Sequence, residues 1–93
     1  MARYEIIGAN GSHYIDVSGR DEWALLELAV AGPKGCTPID NPAPRWSAYV
    51  HKLRDMGVDI ETVHERHAGP FPGNHARYVM QSLILRVEAQ DAA

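Results

Sequence analysis

The pattern of apolar residues over positions 44–62 changes from helical to strand-like at one glycine. Four large side chains follow the i, i+3, i+4, i+7 spacing that lines one face of an α-helix, namely Trp46, Tyr49, Val50 and Leu53. Gly57 comes just after this stripe, and a glycine there is typical of a left-handed helix cap. Beyond it, β-branched residues alternate with acidic ones, as in a half-buried strand. The pattern predicts a helix from Pro44 to Met56 and then a strand from Val58 to Thr62.

The first 31 residues predict a β-hairpin followed by a helix. Two short β-rich runs, 4–7 and 13–17, are separated by a segment that contains Asn10-Gly11, a dipeptide that strongly favours a hairpin turn. Ser18 and Asp21 then have the spacing of a capping box, which would open a helix running to about Ala31.

The predicted first helix is apolar on two sides. Trp23, Leu26 and Val30 share one direction, and Leu25, Leu28 and Ala29 share another. A helix that is apolar nearly all round is usually buried on both sides. One side would face the stripe of the 44–56 helix. The other needs a cover, either the N-terminal hairpin or a second copy of the chain.

The remaining segments predict one short element, one long hairpin and a tail. Residues 36–39 suit a turn or a very short strand, and residues 40–44 suit one helical turn that Asp40 or Asn41 could cap. Residues 68–74 are rich in glycine and proline, which predicts a loop between the β-rich runs 63–67 and 75–88. These runs would pair as a hairpin, and residues 89–93 would form a flexible tail.

Composition limits the classes of protein that the chain can represent. Its 93 residues predict one small domain, and its single cysteine, Cys36, excludes an internal disulfide or a Cys-rich zinc site. Without a visible signal peptide or a long apolar run, a cytoplasmic location is expected. The net charge of −3 counts against strong, charge-driven attraction to nucleic acid. Residues 36–57, however, hold three Lys/Arg against two Asp/Glu.

The order of elements and one junction resemble a known family. Leu53-Arg54-Asp55-Met56-Gly57 followed by Val58-Asp59-Ile60-Glu61-Thr62 resembles the junction between recognition helix and wing in small bacterial and phage winged helix-turn-helix domains, and Tyr78-Val79-Met80 resembles their second wing strand. The resemblance covers residues 21–87. It implies an α+β fold with a helix, a short strand, a helical turn, a recognition helix and a two-stranded wing, here with an added N-terminal β-hairpin. The implied division is hairpin 1–18, winged helix domain 19–88 and tail 89–93.

The resemblance also implies a function and a set of contact residues. The chain would be a DNA-binding protein, a small transcriptional regulator or a phage-type accessory protein, with the 44–56 helix in the major groove and the 66–77 wing on the backbone or in the minor groove. Arg45 and Lys52 could contact guanine or phosphate, and Ala48 could contact a thymine methyl. The candidate contacts are Arg45, Ser47, Ala48, His51, Lys52, Arg54, Arg66, His67, Asn74, His75 and Arg77, with Asn74 at the tip of the wing loop.

Several alternatives stay open at this level. Arg45 and Lys52 could be an ordinary solvated helix face, Arg54 could pair with a neighbouring carboxylate, and Phe71 could cap a small cluster instead of wedging between bases. His64, His67 and His75 do not have the spacing of a metal site. Neither a nucleophile with its base nor a phosphate loop is visible, so no enzymatic activity, metal or cofactor is expected. The competing function is a winged helix that binds protein, either a second copy or another partner, without binding DNA.

Overall fold

The computed structural model describes residues 1–40, 45–67 and 73–87 of the chain. Within these ranges the elements are β1 (Ala2–Gly8), β2 (Gly11–Val17), α1 (Gly19–Ala31), a 3-10 turn (Gly32–Lys34), α2 (Trp46–Asp55), β3 (Ile60–His67), β4 (Gly73–Met80) and β5 (Leu83–Val87). Predictions made for the cap at Asn41, the helix start at Pro44, the loop around Phe71 and the tail lie outside the described residues.

The strands form two antiparallel sheets. The first has the order β2-β1-β5, and the second is the hairpin of β3 and β4. In the first sheet, Gly8 pairs with Gly11 across a two-residue turn of Ala9 and Asn10. Gly11, with a φ of 123°, is thus the first residue of β2 and not part of the turn. In the second sheet, Ile60 pairs with Met80 at one end and His67 pairs with Gly73 at the other.

The single strand predicted over 75–88 is wrong, because the chain bends at Gln81 and Ser82. The Gln81 backbone N–H donates to the Asp59 carbonyl at 2.7 Å, and the Asp59 N–H donates to the buried Ser82 Oγ at 3.0 Å. These bonds end the pairing with β3. The chain then continues as β5, which pairs with β1 from Ile7–Leu83 to Arg3–Val87. The last strand therefore connects the wing to the N-terminal hairpin.

The helix ends differ in how they are capped. At the C-terminus of α2, the Gly57 N–H donates to the Arg54 carbonyl at 2.9 Å and the Val58 N–H donates to the Leu53 carbonyl at 3.0 Å. This is a Schellman motif, and the φ of 90° at Gly57 explains why a glycine stands there. The capping box predicted at Ser18 is wrong, because its side chain makes no capping hydrogen bond.

One hydrophobic core joins both sheets and both helices. Its buried members come from the hairpin (Ala2, Tyr4, Ile6, Ile15, Val17), from α1 (Ala24, Leu25, Leu28), from α2 (Trp46, Val50, Leu53) and from later strands (Val58, Ile60, Tyr78), together with Cys36. Large apolar surface is removed from water only when such faces meet, which is the main stabilising term of a domain this small. The hairpin thus covers the Leu25/Leu28 side of α1.

The expectation that α1 is buried on both sides is wrong for part of its other side. Trp23 packs against Trp46 of α2, with 5.4 Å between ring centroids. Leu26 and Val30 remain 40% and 88% exposed. The α1 stripe therefore contributes to the core through its first half alone. None of the helices in the described ranges is long and apolar enough to cross a membrane.

The short strand predicted near Cys36 is a single bridge. The Cys36 and Tyr78 backbones exchange two hydrogen bonds of 2.9 Å, which adds a third strand-like segment beside β4. Gly35 precedes it with a φ of 70°, and a Cβ at this position would lie 2.5 Å from the Tyr78 carbonyl oxygen. Only glycine allows the backbones to approach so closely. This contact fixes the wing against the segment that follows α1.

Candidate functional site

The exposed side of α2 is fixed by the burial of its other side. Trp46, Val50 and Leu53 are at most 2% exposed, so the residues about 180° away around the helix face solvent. These include most of the predicted contact residues: Arg45, Ser47, His51 and Lys52 are exposed and Ala48 is half-buried. Arg45 is the N-cap residue, which places it at the very start of the helix.

The first flank of this face meets α1. Lys52 Nζ lies 3.4 Å from Asp21 Oδ2, and Tyr49 contacts both Arg20 and Trp23. The Arg20 guanidinium carbon lies 4.5 Å from the Trp23 ring centroid and 5.9 Å from that of Tyr49, distances at which cation–π attraction acts. Sequence reasoning missed Arg20. The available signal was its position three residues before Trp23, since such residues are neighbours on a helix surface.

The second flank meets the wing, and Arg54 makes the connection. Its guanidinium donates two hydrogen bonds to the Ile60 carbonyl, at 3.1 and 2.6 Å, and one to Thr62 Oγ1 at 2.7 Å. Neither acceptor is a carboxylate, so the ion pair considered from sequence is not formed. Arg54 instead holds the end of α2 against the start of β3.

The C-terminal half of the face carries negative charge. His51 Nε2 lies 3.6 Å from Asp55 Oδ2, one helical turn away, and both side chains are more than 70% exposed. Such an exposed pair contributes little to stability. Its importance is electrostatic, because the Asp55 carboxylate would repel a phosphate. The cationic part of the face is therefore nearer the N-terminus of α2.

The wing does not present the cationic cluster that its sequence predicts. Glu65 Oε2 accepts from Arg77 Nε at 2.7 Å, Glu65 Oε1 lies 3.1 Å from His75 Nε2, and Arg77 also donates to the Lys34 carbonyl at 2.8 Å. Hydrogen bonding and attraction from Arg77, with a smaller contribution from His75, hold the pKa of Glu65 below its ordinary value. Arg77 and His75 are therefore partly neutralised by one carboxylate.

Arg66 lies on the opposite face of the wing from that cluster. In the β3–β4 register, Glu65 pairs with His75 and Arg66 pairs with Asn74. Because neighbouring strand residues point to opposite faces, Arg66 shares a face with Thr62 and therefore with the Arg54 contact. The position predicted for Asn74 at the loop tip is wrong, since Asn74 belongs to β4, and His67 is the last residue of β3.

Other chemistry receives no support from the geometry. Burial raises the pKa of the Cys36 thiol to about 11, with a further rise from the charge of Glu27, so the thiol is protonated at neutral pH. A protonated, buried thiol is a poor nucleophile and a poor metal ligand. Among residues 1–40, 45–67 and 73–87, no three His, Cys, Asp or Glu side chains come together in a way that could hold a metal ion.

Comparison with known proteins gives one match. A family model described as a winged helix domain matches residues 14–90, most of the chain. Neither a curated protein nor a solved structure matches. The matched range contains β2, both helices, both wing strands and β5.

Proposed function

This chain belongs to the winged helix domain family, as its sequence predicted, and we propose that it binds double-stranded DNA through the exposed face of α2. Winged helix domains are generally DNA-binding modules and typically have no enzymatic activity. In this proposal α2 enters the major groove, and the wing of β3 and β4 lies on the backbone or in the minor groove. The protein would act as a small transcriptional regulator or as an accessory DNA-binding protein.

The observation that carries the proposal is the position of free polar and cationic groups on α2. Its apolar stripe is fully used by the core, yet the opposite face is exposed and narrow at its centre, where Ala48 stands. A helix needs such a face to approach base edges closely. Arg45 makes no ion pair within the described part of the chain, so its charge is available to a phosphate or a guanine.

The contact residues divide into two groups in this proposal. Those on α2 read bases and nearby phosphates: Arg45, Ser47, Ala48, His51 and Lys52. Those on the wing side contact the backbone or the minor groove: Arg54, Arg66, His67, Asn74, His75 and Arg77. Within the second group Arg66 is favoured as a contact, because it is exposed and lies on the face nearer α2, whereas Arg77 and His75 share Glu65.

A salt titration of binding to a random DNA duplex tests the proposal. Fluorescence anisotropy should show affinity that falls linearly with the logarithm of salt concentration, and Arg45→Ala should reduce that slope by about 0.9, the value for one lost phosphate contact. Lys34→Ala is the matched control, because it removes one exposed positive charge from the 3-10 turn. Absence of binding by the wild-type protein at low salt would refute the proposal.

The outer face of the first sheet supports a second candidate function, association with a second copy of the chain. Leu83, Leu85 and Tyr14 are 68%, 57% and 61% exposed there, an unusual amount of apolar surface for so small a domain. In the described residues β5 has no strand on its outer side. Antiparallel pairing of two β5 strands about a twofold axis would set Leu85 against Leu85 and Leu83 against Val87, so the edge is self-complementary.

Sedimentation equilibrium decides this second function. Self-association should be measurable for the wild type and should be lost in Leu85→Lys, which places a charge at the centre of the pairing. A wild-type protein that stays monomeric at high concentration would remove it.

A further inference from the structure

We propose that Arg20 is a phosphate-binding residue, through which the DNA-binding surface continues from α2 onto the start of α1. The inference rests on the proposed function, since its ligand is a phosphate of the same DNA duplex. It adds a residue that lies on another element and that the sequence pattern of the recognition helix does not include.

Two aromatic rings hold the Arg20 side chain in place. Its guanidinium lies 4.5 Å from the Trp23 ring centroid and 5.9 Å from that of Tyr49, and its Nε lies 3.4 Å from the Tyr49 hydroxyl oxygen. The two rings meet edge to face, with 6.4 Å between their centroids. An arginine held in this way loses less conformational entropy on binding than one that moves freely in solvent.

The charge of Arg20 is not neutralised within the described part of the chain. Of its two acidic neighbours in the first turn of α1, Asp21 contacts Lys52 and Glu22 accepts a hydrogen bond from the Tyr4 hydroxyl at 2.6 Å. An aromatic ring interacts with the flat face of a guanidinium and leaves the N–H groups along its edge available. These groups match two oxygens of a phosphate in a bidentate arrangement.

Arg20 stands beside the cationic flank of α2. Tyr49, which it contacts, is four residues after Arg45 and three before Lys52, and residues at these separations are neighbours on a helix surface. Arg20, Arg45 and Lys52 therefore border the same side of the recognition face. A helix in the major groove has phosphate backbones on both sides. We assign the backbone on the α1 side to Arg20, while Arg54 and Arg66 lie toward the other side.

The test compares three variants with a random DNA duplex as the probe. Arg20→Ala should weaken binding at low salt by roughly tenfold or more, as expected for loss of a charge-assisted contact, and should reduce the salt slope by about 0.9. Arg20→Lys should keep most of the slope but bind less tightly, because an ammonium is a point charge without the planar fork. Trp23→Phe should keep the slope and retain part of the affinity, since a smaller ring still supports Arg20.

Matched controls separate the possible outcomes. Lys34→Ala shows the effect of losing one positive charge elsewhere, and thermal unfolding shows whether Arg20→Ala is folded at the assay temperature. If the variant is unstable, Arg20→Lys gives the decisive comparison of affinity at constant charge. Wild-type affinity and slope in both Arg20 variants, with weakened binding by Arg45→Ala, would overturn the role of Arg20 and leave the proposed function intact. No binding by the wild type would overturn both.

Discussion

Replacement of Gly57 by alanine is expected to destabilise the protein through two separable effects. Gly57 ends α2 with a φ of 90°, a conformation that costs an L-residue about 1–2 kcal/mol. Against this, alanine restricts the unfolded chain and returns about 0.4–1 kcal/mol. The backbone effect alone should therefore lower the free energy of unfolding by about 1 kcal/mol or slightly less.

The second effect comes from His13 of β2. A Cβ at position 57 would lie 2.6 Å from His13 Nε2 and 2.8 Å from His13 Cε1, so the ring must move. The ring now lies 2.8 Å from the Met56 carbonyl oxygen and donates to it through Nε2. Movement loses that hydrogen bond, whose net contribution is about 0.5–1.5 kcal/mol. Together the two effects predict a loss of about 1–3 kcal/mol for Gly57→Ala.

A double-mutant cycle separates these effects. Urea unfolding followed by the fluorescence of Trp23 and Trp46 gives the free energy for wild type, Gly57→Ala, His13→Ala and the double variant. His13→Ala alone should cost about 0.5–1.5 kcal/mol. In its background, Gly57→Ala should show only the backbone effect, so the two losses should not add.

Gly8→Ala is the matched control for the cycle. Its added Cβ would meet no atom within 4 Å and its φ is not positive, so its stability should stay within about 0.5 kcal/mol of the wild type. Equal cost of Gly57→Ala with and without His13 would refute the contact between the hairpin and the helix end. No cost in either background would refute the Schellman cap as well.

Three further predictions concern the core, the wing and the thiol. Leu53→Ala, at a position with 0% exposure, should lower the free energy of unfolding by about 2–5 kcal/mol in urea titrations, and a loss below 1 kcal/mol would contradict the packing of α2. Glu65→Gln should release Arg77 and His75 from their shared carboxylate, so DNA binding should tighten and its salt slope should rise by up to about 0.9; Glu5→Gln makes the same charge change on β1, and an equal effect there would mean that only net charge matters. Because burial raises the pKa of Cys36 from 9.0 to about 11, the unfolded thiol ionises first as pH rises, so the stability of the wild type should fall between pH 9 and 11 and that of Cys36→Ala should fall less in urea titrations across this range; equal loss in both would contradict the raised pKa.

The sequence predicted elements well where one period dominates over several turns. In α2 the residues spaced for one helix face are those that pack into the core, and the glycine after them ends the helix with a positive φ. Such local signals depend only on the chain near them. The family followed from the same junction, and the match over residues 14–90 confirms it.

The sequence could not predict the bend that separates β4 from β5. Gln81 and Ser82 are neither glycine nor proline, and their hydrogen bonds are to Asp59, more than 20 residues earlier. The residues of β5 also gave a misleading signal. Leu83, Leu85 and Val87 form an apolar run typical of a buried strand, yet all three are exposed on the outer face.

The candidate site was predicted for α2 but not for its surroundings. The exposed positions of a helix follow from its period, whereas the partners of its cations depend on how distant elements meet. Arg54 reaches β3, Arg77 reaches both Glu65 and Lys34, and Arg20 lies on α1. No spacing rule connects these pairs. Net charge was therefore a weak guide, because the number of cations that face a partner differs from the number in the sequence.

The added N-terminal sheet acts as a support for both helices. Tyr4 of β1 donates to Glu22 of α1, and His13 of β2 donates to the carbonyl at the C-terminal cap of α2. Through β5 the same sheet is joined to the wing, since only Gln81 and Ser82 separate β4 from β5. The hairpin thus restrains three parts that a DNA-binding surface requires in fixed relation, namely α1, α2 and the wing. Because an interface gains affinity when its groups need not be ordered on binding, this support provides a physical reason for so small a domain to carry the extra sheet.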